Sequence, residues 1–289
     1  MNDWTEVASG VHQRRYDPLD ISIVVVEGDD GLLLVDSRAD PVEAAELRDD
    51  VGRRFGVPVR RLVNTHAHYD HTFGNQVFAM AGRGGSRVEL LGHARIAAHF
   101  AEYEGPRLAA WRRDPSREPG RRWQDVELVP PTVPVAEERR IDVGGREVRL
   151  LPQPPAHTDT DLVLHVPDVE VWVLGDLVEE SGPPMYGSGS FPLAWPGVVA
   201  ALAGRMEPGA LVVPGHGRVV DPGFVDRQAA DLGLVADRLA AAHADGVPAS
   251  GALARFDDWP FPVDGLGSAV DRAYLALDGD AAGHPSAST

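Results

Sequence analysis

Between Leu62 and Asn75 the chain reads LVNTHAHYDHTFGN, and no other stretch limits its fold as tightly. Four potential metal ligands, His66, His68, Asp70 and His71, fall within six residues, directly after the apolar Leu62-Val63 that reads as the end of a strand. In an extended backbone alternate side chains share a face, so His66 and His68 form a plausible pair on one ion. Asp70 and His71 are adjacent and reach a second ion only if the chain turns there, which Thr72-Phe73-Gly74-Asn75 permits. A lone histidine usually packs or hydrogen-bonds without any ion. Three of them with a carboxylate at this spacing are the pattern of a metal site. The stretch therefore predicts two neighbouring metals.

What the rest of the chain can supply is narrowed by composition. There is no cysteine, which excludes disulfides, thiolate ligands and a cysteine nucleophile together, so nitrogen and oxygen must hold any metal. All 27 basic residues are arginine, which excludes a lysine Schiff base or a lysine-bearing phosphate loop. Against 44 acidic residues they leave a net charge of −17, a field that repels nucleic acid and anionic lipid; the partner expected is a small molecule. No apolar run approaches the roughly 18–20 residues that cross a bilayer. The opening MNDWTEVASG lacks the basic and apolar segments of a signal peptide, so a cytoplasmic location is expected. At 289 residues the chain can form one large domain with a substantial core.

Taken in order, residues 21–27 and 32–36 flank Gly28-Asp29-Asp30-Gly31, a β-hairpin signal. Asp40 before Pro41 caps a helix predicted over 41–55, with Val42, Ala45, Leu47, Val51 and Phe55 on its apolar face. Residues 59–63 return as a strand and deliver the histidines. A short helix over 75–80 and a strand over 88–91 follow. From His93 to Pro134 the character changes, with Arg112, Arg113, Arg117, Arg121 and Arg122 among prolines and glycines. This segment reads as a helix and an irregular insertion over the site, or alternatively as a solvated charged loop. Residues 139–143 and 147–151 surround Gly144-Gly145, a second hairpin signal, and the proline-stiffened turn after Leu151 presents His157. Strands over 162–166 and 169–174 end in Gly175-Asp176. A carboxylate at the end of a buried apolar strand is costly to ionise without a cation or partner, which makes Asp176 a ligand candidate. Glycines on both sides of His216 allow close backbone approach there. Helices are predicted over 195–206, 224–244 and 268–277. Alternating helix and strand point to an α/β layer fold. Two β-rich halves, about 20–130 and 139–215, each donate ligands at strand ends.

With His66-Ala67-His68-Tyr69-Asp70-His71 followed in order by His157, Asp176 and His216, the chain strongly resembles the metallo-β-lactamase superfamily of metallohydrolases over about residues 20–220. The resemblance implies a four-layer αββα sandwich, one domain over 1–289, with the 93–134 insertion and C-terminal helices over about 222–277. It implies two zinc ions per chain: site one from His66, His68 and His157, site two from Asp70, His71 and His216, and Asp176 bridging. The other histidines, 12, 93, 99, 165, 243 and 284, match no motif position and default to structural or surface roles.

Two cations sharing one water lower its pKa towards neutrality, with Asp70 as ligand and orienter of the hydroxide. The function expected is a dinuclear zinc hydrolase acting on a small ester, lactone, thioester or amide. Absence of cysteine removes the β-lactamase subclass with a thiolate in site two, while the all-histidine subclass remains an alternative. Absence of lysine departs from the glutathione-binding thioesterases. The lactonases' tyrosine after the bridging aspartate is replaced by Leu177-Val178-Glu179-Glu180, and the turn after His157 looks closer to the quinoprotein-relay or cyclase-like branch. A mononuclear iron persulfide dioxygenase, using His66, His157 and Asp176 alone, is the alternative from another reaction class. Residues 183–195, with Met185, Tyr186, Phe191 and Trp195, are the expected substrate-facing loop.

Overall fold

The computed structural model describes residues 3–79, 87–114, 116 and 120–283. Met80, the last residue of the short helix expected over 75–80, and Arg117 and His284, both named above, lie outside them. The first half runs β1 (Thr5–Ala8), β2 (Val11–Tyr16), β3 (Ile21–Gly28), β4 (Gly31–Val35), α1 (Pro41–Phe55), β5 (Val59–Val63), α2 (Tyr69–Thr72), α3 (Asn75–Ala79) and β6 (Glu89–His93). After α4 (Ile96–His99), α5 (Gly105–Arg113) and β7 (Val133–Val135), the second half runs β8 (Arg139–Val143), β9 (Arg146–Pro152), β10 (Leu162–Val166), β11 (Val171–Glu179), α6 (Trp195–Ala203) and β12 (Leu211–His216). The chain closes with α7 (Pro222–Ala244), α8 (Ala249–Ala252) and α9 (Gly267–Gly283). No helix among the described residues is long and apolar enough to cross a membrane.

The strands follow the order β7-β6-β5-β4-β3-β12-β11-β10-β9-β8, with β2 also on β3 and β1 on β2. Side-chain alternation turns this ribbon into layers. Val24, Val26, Leu33 and Val35 of the first half meet Val148, Leu150, Leu164, Val173 and Val213 of the second in one apolar cluster. Their neighbours Ile23, Val25, Leu32 and Leu34 face the other way, onto Ala44, Leu47 and Val51 of α1. Trp172, Leu174 and Val212 likewise turn outward onto α6, α7 and α9. Helices thus cover the outside of two β layers whose inner faces pack together, the expected αββα arrangement. Each fully buried leucine or valine here is worth about 1.5–3 kcal/mol.

Local chemistry sets the element ends. The Asp40 carboxylate accepts from the backbone N–H of Val42 and Glu43, and Gly56 closes α1 at a left-handed φ of 69°. The buried stripe of α1 is Ala44, Leu47 and Val51, while Val42 is exposed. Three expectations need correction. The strands β1 and β2 precede the first predicted one; VHQRRY carries too few apolar residues to signal a strand, yet it pairs along β3 from Val11↔Val26 to Tyr16↔Ile21. β11 does not end at Asp176 but continues to Glu179. The reason is a break in register against β12: Gly175 pairs with Pro214 and Glu179 with His216, so four steps of one strand oppose two of the other. Tyr186 and Trp195 do not line an open loop; both are buried in the core with α6 and α7, and of the four large side chains named in that segment Met185 and Phe191 are exposed.

Within 93–134 the described part is packed against the histidine stretch. Trp111 and Trp123 stack with centroids 4.5 Å apart, and Tyr69 meets them edge-on at 5.0 and 5.9 Å. Trp123, Leu108, Val126 and Phe73 form a small buried cluster, which rules out a wholly solvated loop.

Candidate metal centre

All seven predicted ligands meet at one edge of the β layers. His66 and His68 lie in the loop after β5. Asp70 and His71 lie on the single turn α2, the bend that two ions require. His157 follows β9, Asp176 sits at the break in β11, and His216 ends β12. All seven are buried, none more than 8 % exposed.

Asp176 is the centre of the set. Its Oδ2 lies 3.6 Å from Nε2 of each of His66, His157 and His216, and its Oδ1 lies 3.1 Å from His71 Nε2. On one side His68 Nδ1 stands 3.0 Å from His157 Nε2. On the other, His216 Nε2 is 3.3 Å from His71 Nε2 and 3.3 Å from Asp70 Oδ2. Atoms held about 2.0–2.2 Å from a tetrahedral ion stand roughly 3.3–3.6 Å apart, so these spacings suit a cation in each group. His66 Nε2 and Asp176 Oδ1 are buried with no hydrogen-bond partner, as donors awaiting an ion would be. Nitrogen and carboxylate donors without thiolate suit zinc, iron or manganese.

The far sides of three of the imidazoles, His68, His71 and His216, are held by backbone carbonyls or a carboxylate. His68 Nε2 donates to the carbonyl of Ser188 at 3.0 Å, leaving Nδ1 facing inward. His216 Nδ1 donates to the Leu19 carbonyl at 2.7 Å, and His71 Nδ1 to Asp36 Oδ2 at 2.8 Å. Asp36 also accepts from the Thr65 N–H at 2.8 Å and hydroxyl at 2.7 Å, and it holds a left-handed φ of 65°. That strained backbone is fixed by the carboxylate's three bonds. Asp36 was missed in the sequence, although it ends an apolar strand in the same way that drew attention to Asp176. Ser188 is tied in turn: its hydroxyl bonds Arg107 and Glu104, and Arg107 Nε pairs with Glu104 at 3.1 Å. Of the two roles expected for His99, structural or surface, the structural one holds. His99 is buried, its Nδ1 is 2.6 Å from Asp159, and its ring lies 5.9 Å from that of His68.

Electrostatics divide the ligands. Burial lowers the pKa of His66 and His68 well below the usual imidazole value, and that of His157 to about 4. These three are neutral at pH 7, with lone pairs available. Burial opposes charge on His71 and His216 too, but the surrounding carboxylates, Asp176 foremost, together outweigh it and raise both. Burial would raise Asp70, yet His71 and His216 overcome it and hold the carboxyl at about 2. Positive charge is thus drawn to the Asp70 side in the absence of a cation. Beside Asp70 a shallow depression is lined by Tyr16, Leu19, Arg38 and Arg121.

A family model described as the metallo-beta-lactamase superfamily matches residues 16–217. Among solved structures, the inverting sec-alkylsulfatase Pisa1 from Pseudomonas sp. superposes with a TM-score of 0.77 at 20 % identity, over 98 % of this chain and 52 % of that one. A metallo-β-lactamase from Pontibacter korlensis gives 0.64 at 20 % identity, over 80 % of this chain and 99 % of that one. FIM-1 from Pseudomonas aeruginosa, in its mono-zinc form, gives 0.62 at 19 % identity, over 81 % and 96 %. At such identities the superpositions speak for the fold, while the family match spans both β-rich halves and every residue of the cluster. The chain belongs to the metallo-β-lactamase superfamily and carries a His and Asp cluster able to hold metal.

Proposed function

We propose that the protein is a dinuclear zinc hydrolase of a small ester, lactone, thioester or amide. The observation that carries this reading is the central position of Asp176 between two complete donor groups, His66, His68 and His157 on one side and Asp70, His71 and His216 on the other. Two divalent cations held there would supply Lewis-acid charge that brings the pKa of a water towards neutrality. Asp70, ionised at neutral pH, would accept a hydrogen bond from such a water and fix its orientation. Asp176 joins the two groups, and Asp36, Ser188 and Leu19 keep the imidazoles turned inward. Burial excludes bulk water from the ligand set. No cysteine is present to act as a nucleophile, and the scheme requires neither cysteine nor serine.

The test is metal analysis with a substrate panel of nitrocefin, lactones, thioesters and a secondary alkyl sulfate. About two zincs per chain with turnover of one class supports the reading. One iron with oxygen uptake favours the persulfide dioxygenase instead. Asp70→Ala abolishes hydrolysis and leaves the far-ultraviolet circular dichroism unchanged; undiminished turnover sinks the role given to Asp70.

A further inference from the structure

One buried acid beside the cluster has no task so far. Glu179 is 6 % exposed, and its backbone N–H donates to Gln228 Oε1 at 3.0 Å. Its carboxyl group feels the charges of Asp176, His216, Asp70 and His71 around it. In an unbroken strand Asp176 and Glu179, three residues apart, would point to opposite faces. The break in β11 prevents this: four steps from Gly175 to Glu179 lie against two from Pro214 to His216, and Glu179 returns to the side of Asp176. A carboxylate oxygen of Glu179 lies within 4.8 Å of a ligating atom on both Asp176 and His216. A buried carboxyl beside a second carboxylate is costly to ionise, and a cation at this point offsets that cost.

We propose that Glu179 is a further ligand to the ion beside His216, and that it makes this position selective for a harder divalent ion such as Mn²⁺. The inference rests on the cluster being a two-metal centre. Around His216 the donors are then Asp70 and His71 in one group and Asp176 and Glu179 in another, so that with His216 itself two imidazoles stand among three carboxylates. The first set keeps three imidazoles and the shared Asp176. Carboxylate-rich sites suit manganese and magnesium, and imidazole-rich sites suit zinc. One chain thereby holds two positions of different hardness 

The experiment loads metal-free protein with one equivalent of Zn²⁺ and titrates Mn²⁺, reading bound Mn²⁺ by paramagnetic resonance and calorimetry. Glu179→Gln weakens Mn²⁺ binding by about 10- to 100-fold, the range for losing a partner at a metal site, and leaves the first Zn²⁺ in place. Glu180→Gln, which removes a surface partner of Arg218, leaves Mn²⁺ affinity unchanged. Should Glu179→Gln fail to fold, Glu179→Asp decides the matter: it withdraws the carboxylate by one methylene and also weakens Mn²⁺ binding. Wild-type protein that takes up both ions while the folded Glu179 variant binds Mn²⁺ equally well overturns this inference alone. Wild-type protein that takes up neither ion overturns the two-metal reading with it.

Discussion

Gly215→Ala is the sharpest probe of how the fold holds its central carboxylate. A Cβ at this position would lie 1.8 Å from Asp176 Oδ1 and 2.8 Å from both Asp176 N and the Gly175 carbonyl carbon. Ordinary carbon–oxygen contacts are about 3.3–3.6 Å, so the carboxylate must retreat by roughly 1.5 Å. Backbone on the same side blocks a simple shift of β12, which leaves the Asp176 side chain as the group that moves. Misplacement of about 1 Å at a reacting centre can cost 100-fold, or about 2.7 kcal/mol of transition-state stabilisation. Overpacking adds about 1–3 kcal/mol of lost stability. Measuring metal content, kcat/KM and the denaturant midpoint of the metal-free protein separates the two effects. Gly209→Ala is the control, because a Cβ there meets nothing within 4 Å. A Gly215→Ala protein with full metal content and wild-type kcat/KM refutes the placement of Asp176 between the two donor groups.

Two further predictions concern the surroundings of the ligands. Asp36→Asn keeps a residue that tolerates the left-handed backbone but removes the charge facing His71 Nδ1, and it should weaken binding of the second ion by about 10- to 100-fold; unchanged affinity in calorimetry counts against the orienting role. In the metal-free protein, burial depresses His66, His68 and His157, the last to about 4 from 6.5, so the folded chain binds fewer protons than the unfolded chain in that window and loses stability as pH falls through it. His71 and His216, raised by Asp176 against burial, contribute stability that is full below 6.5 and is lost as pH rises through their folded values. Denaturant midpoints of chelated protein should therefore peak near pH 6.5, at about the ordinary imidazole pKa, and a flat profile from acid to alkaline pH contradicts the assigned shifts.

The ligands were legible because their chemistry is local. His66 to His71 stand together, and His157, Asp176 and His216 each follow or interrupt an apolar run that could only be a strand. The paired hairpins and α1 were legible from turn residues, periodicity and the Asp40 cap. The break in β11 was not, because it depends on which residues of a distant strand lie opposite. Glu179 and Ser188 escaped for the same reason: their partners are remote in sequence, and nothing in their own neighbours marks them. Asp36 did carry a local mark, the apolar strand it ends, but its partners Thr65 and His71 are equally remote. Tyr186 and Trp195 were misjudged because an aromatic residue in an irregular segment looks the same whether it lines a cleft or fills a core. β2 hid behind a polar sequence whose order comes from pairing along β3.

The two β-rich halves touch in backbone pairing between β3 and β12 at one position, Ile21↔His216. Across that seam, His66, His68, Asp70 and His71 come from the half before it, and His157, Asp176 and His216 from the half after. Any cation gripped by such a mixed set works as a rivet, and the free energy of gripping it also fastens one layer to the other. Metal loading and the mechanical integrity of the sandwich are then a single quantity viewed from two directions.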